Sequence, residues 1–135
     1  MFRAARRLNV ETILVSNLRL TAPAGNPLVS CVRVEGGPDV ADRYIADQAA
    51  CGDLVVTQDI PLAALLVPRA IAVLDPRGDE HTEDTIGERL SLRAFFDQLR
   101  SSGTVTGGPP PWNARNRQAF ASALDRCLTR LLRAR

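Results

Sequence analysis

The sequence predicts an α/β domain built on a mainly parallel sheet. Three observations carry this. Short apolar runs rich in Val, Ile and Leu occur near Thr12 to Ser16, Leu28 to Val34, Leu54 to Thr57 and Ile71 to Leu74, the kind of run found in strands buried on both faces. Segments of helical period separate several of them, and strands alternating with helices make a parallel sheet covered by helices. The chain has 135 residues, 45% hydrophobic and 24% charged, a globular balance large enough for one core without disulfides or metal staples.

The first two strands are separated by a loop from Thr21 to Pro27, which holds two prolines and a glycine and so carries no helix. After Gly36, Gly37 and Pro38, Asp39 fits as the N-cap of a helix from Val40 to Ala50, with Ala41, Tyr44, Ile45, Gln48 and Ala49 at helical spacing. Gly52 is expected to close that helix in a left-handed conformation. The third strand follows, then a short crossover helix from Pro61 to Val67 that stops near Pro68.

Beyond the fourth strand, Asp75-Pro-Arg-Gly78 reads as a turn. Thr82 can cap a helix that opens with Glu83 and Asp84 and presents Ile86, Leu90, Leu92, Phe95, Phe96 and Leu99 as its apolar side, with a break expected near Ser91. Residues Thr106 to Pro111, two glycines followed by three prolines, form a loop. A last helix starts near Ala114, its stripe of Phe120, Leu124, Cys127, Leu128 and Leu131 covering the core while Arg126, Arg130 and Arg133 face water or a partner.

No run approaches the roughly 18 apolar residues of a membrane span, and no apolar segment of signal-peptide type opens the chain. Cys31, Cys51 and Cys127 are an odd, widely spaced set and read as buried thiols of a cytoplasmic protein. Charge is unevenly placed. From Asp39 to Asp59 there are five acids (Asp39, Asp42, Asp47, Asp53 and Asp59) against Arg43 alone, a balance of −4, while the net charge of +2 leaves +6 for the rest. An acidic centre in a basic surround suits a metal-dependent enzyme acting on nucleic acid; a solvated helix face has the same charge count.

The most informative stretch, Gly52 to Ala63, puts Asp59 where an apolar strand gives way to a helix, the end of an open α/β sheet at which ligands collect. The other use for Asp59 is a helix cap. With Pro61 as the first helical residue, however, the cap position falls on Ile60 and Asp59 stands one residue early.

That stretch, together with Asp39-Val-Ala-Asp42, Asp75-Pro-Arg-Gly78, Thr106-Gly-Gly-Pro109 and Asn116-Arg-Gln-Ala-Phe120, resembles the YaiI/YqxD family of bacterial proteins, which looks like a branch of the PIN-like nuclease fold. The resemblance implies a single three-layer PIN-like sandwich over residues 1–135. It also implies a preceding central strand carrying Asp-x-Asp-x-Cys-Pro, so Met1 is expected to be an internal position, the chain truncated at its start and the first central strand absent. Phe2, Ala5 and Leu8, a fragment of amphipathic helix without a cap, agree. Four buried strand side chains contribute about 6 to 12 kcal/mol in total, the scale of a whole domain's stability of roughly 5 to 15 kcal/mol. A sheet that gaps at its middle or re-pairs is therefore expected.

PIN-like nucleases gather acids at the strand ends around one or two divalent ions. Carried over to this chain, Asp39 or Asp42 fills the helix position and Asp59 the strand-end position, giving Asp39, Asp42 and Asp59 as metal ligands for Mg2+ or Mn2+ and Asp42 and Asp59 as the catalytic carboxylates. The same residues also read as a cap and a first-turn acid needing no metal. Asp53 and Asp75 read as turn residues, His81 as a solvated loop residue, and Trp112 as a base-stacking group or a cover for the core. Where the family commonly has Asp, this chain has Asn116. The implied activity is metal-dependent hydrolysis of phosphodiesters in RNA or single-stranded nucleic acid, impaired by the incomplete acid cluster. The alternative is a non-catalytic nucleic-acid-binding or protein-interaction module on the same fold.

Overall fold

The computed structural model describes residues 7–17, 27–37, 39–103 and 112–134. The expected loop of residues 106–111, most of the loop between the first two strands, and Phe2 and Ala5 lie outside the described residues. The elements run β1 (Thr12–Ser16), β2 (Val29–Arg33), α1 (Val40–Gln48), β3 (Leu54–Val56), α2 (Ile60–Leu66) with a 3-10 turn (Val67–Arg69), β4 (Ala72–Leu74), β5 (Glu80–His81), α3 (Glu83–Ser101) and α4 (Ala114–Arg133). The result is a mixed α/β architecture with two small sheets in place of one continuous sheet; a sheet gapped at its middle or re-paired is the expectation from sequence. β1 pairs in parallel with β2, and β3 in parallel with β4, which takes β5 antiparallel on its other edge.

Burial in the second sheet follows the strand period of two. Val55 and Val73 enter a core built with Leu62, Ala63, Leu66, Val67 and Ile71, against which Ile45, Ala46 and Ala49 of the α1 region pack. Leu54 and Leu74 turn to the opposite face, where Leu74 joins Ala123, Leu124, Cys127 and Leu128 of α4. Helices therefore cover both faces, as buried parallel strands require. The α4 stripe meets the sheet as its sequence predicts.

Several local expectations need correction. Helix α1 ends at Gln48, and Gly52, although at φ +92°, lies beyond Ala49 in the turn that leads into β3. Its departure is fixed by Asp53, whose carboxylate accepts from the Ala50 N–H at 2.9 Å. No break occurs at Ser91: α3 is one helix of 19 residues. Its outer turns extend past the core, so Leu92, Phe95 and Phe96 are about half exposed instead of covering it. Cys127 is buried, Cys31 half-buried and Cys51 exposed, so the thiols are not uniformly interior.

The Asp75–Gly78 turn forms as expected, the Asp75 carboxylate accepting from the Arg77 N–H at 2.7 Å and the Asp75 carbonyl from the Gly78 N–H at 2.9 Å. Reversal there creates β5, which carries His81 inside, 3% exposed, so it is not a solvated loop residue. Trp112 neither covers the core nor stands free. It is about half exposed and its indole N–H donates to the Pro76 carbonyl at 3.0 Å.

Candidate metal centre

Two helix starts converge to make the site. The β3 strand leaves the core at Thr57, whose hydroxyl accepts the Asp59 N–H at 3.0 Å, and the chain turns directly into α2. Asp59 is the N-cap of that helix, its Oδ1 accepting the Leu62 N–H at 2.8 Å, and Pro61 lies in the first turn. The helix thus begins at Ile60, one residue before the sequence-based boundary. The two uses weighed for Asp59 are compatible, because the cap engages Oδ1 and leaves Oδ2 uncommitted to it.

The second start is α1. Asp39 occupies its N-cap position, and its carbonyl accepts the Arg43 N–H at 2.9 Å. Its φ of 64° is left-handed, and its side chain makes no capping bond. Asp tolerates this region better than most residues, and the unused carboxylate is turned to other company. Asp42 follows one helical turn later on the same side.

Asp39, Asp42 and Asp59 each offer a carboxylate oxygen, and these oxygens all lie within 4.8 Å of one another. Asp39 is exposed while Asp42 and Asp59 are half-buried. At such a separation two full charges repel by about 3.5 kcal/mol at an effective dielectric of 20. The strain shows on Asp42, whose carboxyl is pushed from 3.8 up to about 6 by burial first, then by hydrogen bonding to Asp59 and by the charges of Asp59 and Asp39. A cluster in this state takes up a proton or a cation. Three hard oxygen donors, two of them partly shielded from water, are a donor set that Mg2+ or Mn2+ accepts.

All three acids named from sequence are therefore brought together. Asp53 and Asp75 are turn residues, as their spacing implied. Asn116 completes a reciprocal cap with Asn113 at the start of α4, donor and acceptor distances being 3.1 and 2.9 Å, and also accepts from Arg77 at 3.3 Å. It has no place among the three acids.

Sequence reasoning missed the interior place of His81, which is buried with neither ring nitrogen bonded among the described residues; its pKa is lowered by burial and by the nearby charge of Arg89. The sequence holds no local signal for it, since its burial arises from pairing of distant segments. A cleft of about 550 Å³ opens between β1 and β3, lined by apolar side chains of both strands, α1 and α4, where a gap in the sheet is among the expectations.

Comparison with known proteins fits this geometry into a lineage. The family model described as "Uncharacterized BCR, YaiI/YqxD family" matches residues 1–130. The chain belongs to that family. A UPF0178 protein of Myxococcus xanthus is 56% identical over 133 residues, covering 98% of this chain and 86% of that protein. A UPF0178 protein of Trichlorobacter lovleyi is 51% identical with the same coverage, and one from Xanthomonas campestris is 51% identical over 130 residues, 96% of this chain and 81% of that protein. No solved structure matches. Among the described residues of this YaiI/YqxD family member, no helix is long and apolar enough to cross a membrane.

Proposed function

We propose that this YaiI/YqxD family member is a metal-dependent nuclease-like protein of the bacterial cytoplasm that binds Mg2+ or Mn2+ at Asp39, Asp42 and Asp59 and hydrolyses phosphodiester bonds in RNA or single-stranded nucleic acid. The fold belongs to the same proposal, as a PIN-like layered sandwich in which a further central strand would run between β1 and β3. The observation that carries the reading is the convergence of three carboxylates within 4.8 Å at the end of β3 and the starts of two helices. The raised pKa of Asp42, caused first by burial and then by Asp59 and Asp39, supports it, because a divalent cation offsets both the buried charge and the repulsion.

Bound there, the cation would lower the pKa of a coordinated water and stabilise the charge that develops on the phosphoryl oxygens. The chain's own work is to hold the acids. Asp59 is fixed by its cap bond, Asp42 by its place in the first turn of α1, and Asp39 by its left-handed backbone. Exposed Arg43 next to Asp42 supplies a cation for the nucleic-acid backbone.

The test is a Mn2+ titration followed by cleavage of a labelled single-stranded RNA, with Asp59→Ser as the decisive variant. Serine keeps a capping oxygen but removes the carboxylate, so metal binding and cleavage are expected to fall together while the fold is retained. Metal-independent, salt-sensitive RNA binding with no cleavage would replace this reading with that of a non-catalytic binding module.

A further inference from the structure

Trp112 is an exposed aromatic ring that is nonetheless held in place. Its indole N–H donates to the Pro76 carbonyl at 3.0 Å, while about half of the side chain stays open to solvent. That donor lies in the plane of the ring, so the bond grips the indole by its edge and does not itself cover either face. The turn that supplies the carbonyl is fixed in its own right. The Asp75 carboxylate accepts the Arg77 N–H at 2.7 Å, and the Arg77 guanidinium donates to Asn116 Oδ1 at 3.3 Å. Gly78 packs so closely on α4 that an added Cβ would stand 2.8 Å from the Ala119 carbonyl. The ring is therefore tied to the start of α4 and loses little freedom when a second flat group lies on it.

Positive charge adjoins the ring. The first turns of α4 carry Arg115 and Arg117, both exposed, and no acid occurs between Trp112 and Leu124. The place of this group in the fold ties it to the acid cluster. Strands β3 and β4 are parallel, and the Thr57 N–H donates to the Leu74 carbonyl at 3.1 Å. The turn that follows β4 and holds Trp112 thus stands beside the segment that follows β3 and ends in Asp59, with exposed Gln58 in between. Arg117 lies on the row of α4 that continues through Leu124 and Leu128, two and three turns on. Those two leucines line the cleft along β3, so Arg117 is on the flank of α4 that looks toward the strand leading to the acids.

We propose that Trp112, Arg115 and Arg117 form a binding platform for single-stranded nucleic acid, on which an unpaired base stacks against the indole while the two arginines hold the neighbouring phosphates. An open aromatic face beside guanidinium groups is the combination that single strands require. Every base has a π-face that stacks whatever the sequence, and a guanidinium meets phosphate through paired donors. A duplex keeps its bases stacked on one another and offers the ring none. The platform lies at the same end of the β3–β4 sheet as Asp59, so a strand seated on it runs along the rim toward the acids. The inference rests on the nucleic-acid part of the proposed function and needs no metal at the acid cluster.

Trp112 is the one tryptophan of the chain, so its fluorescence reports the contact directly. The full chain is titrated with an unlabelled single-stranded RNA of about eight nucleotides, with EDTA present so that cleavage can fail while the platform holds, and the reverse. Saturable quenching of the indole is expected. A strand of the same length built from abasic sites keeps its phosphates and should bind about tenfold more weakly without quenching, the loss that one base–aromatic stack implies. A duplex of the same sequence should leave the fluorescence unchanged. Trp112→Leu should weaken binding of the intact strand about tenfold with the circular dichroism unchanged. Replacing Arg115 and Arg117 together by Gln should lower the slope of log affinity against log salt by about 0.7 for each arginine. Equal affinity for the abasic strand, binding without quenching, an unaltered salt slope in the arginine variant, or no saturable binding would overturn the proposal. If either variant does not fold, the abasic strand still decides.

Discussion

Replacing Asp42 by Asn should make the protein more stable at neutral pH. The side chains are nearly isosteric, and the amide can donate to Asp59 where an ionised carboxylate can only repel it. An ordinary carboxyl at 3.8 carried to about 6 corresponds to at most about 3 kcal/mol at 1.36 kcal/mol per tenfold, and solvent screening of so open a group reduces this to about 1 kcal/mol. The sign follows from proton linkage. Between 3.8 and about 6 the folded chain holds more protons at this site than the unfolded chain, so the wild type loses stability from this group as pH rises through that window, and the full penalty is present above it. For a domain of this size about 1 kcal/mol moves the Tm by roughly 3 to 5 °C. Thermal unfolding followed by circular dichroism from pH 4 to pH 7.5 should show the two proteins alike at the acid end and Asp42→Asn higher by that amount at the neutral end. Mn2+ should raise the wild-type Tm and close the difference, because a ligand bound only to the folded state stabilises it by mass action. A variant that is equally or less stable at neutral pH would refute the crowding of charge on which the metal reading rests.

Three further outcomes follow. Asp59→Ala should lose about 1 kcal/mol with the helix cap along with metal binding, whereas Asp59→Ser should lose chiefly the latter; denaturant midpoints beside Mn2+ titrations separate the two. Gly78→Ala should destabilise by about 2 kcal/mol or more, since a Cβ there would meet the Ala119 backbone at 2.8 Å at a φ of +98°, measurable by urea unfolding. Because burial lowers the folded-state pKa of His81 from 6.5, the unfolded chain takes the proton first and this group's stability contribution falls as pH drops below 6.5; His81→Leu should flatten that limb of the pH–Tm profile.

The elements that the sequence revealed are those governed by local rules. Thr12–Ser16 forms as expected, and the Leu124, Cys127 and Leu128 stripe lies on the sheet, because period and burial are written into neighbouring residues. Asp59 was legible at the junction of an apolar strand with a helix, whereas Asp39 and Asp42 joined it only through the resemblance to the YaiI/YqxD family, since from the residues alone they also read as a cap and a first-turn acid. Cap geometry was less legible. Asp39 occupies a cap position without capping and Asp59 caps although Pro61 follows it by two, since backbone torsion at one residue decides which oxygen reaches which N–H. Strand β5 and the interior place of His81 depend on long-range pairing, for which no short window carries a sign. The exposed Phe95 and Phe96 show the converse, as an apolar periodicity identifies a helix without saying how far its partner extends.

The contacts of α4 bear on how the chain completes its folding. Its Asp125 pairs with Arg7, 118 residues away, and its Arg130 hydrogen-bonds to Glu80 across 50 residues. The Trp112 ring, just ahead of the helix, anchors to Pro76, and Gly78 admits the helix backbone at a separation that no larger residue permits. One whole side of the Leu54 and Leu74 layer is closed by α4, whose residues are synthesised after both strands. A nascent chain emerging from the ribosome must therefore keep that layer uncovered until α4 has been made, and chaperone capture or loss to aggregation should be decided in that interval.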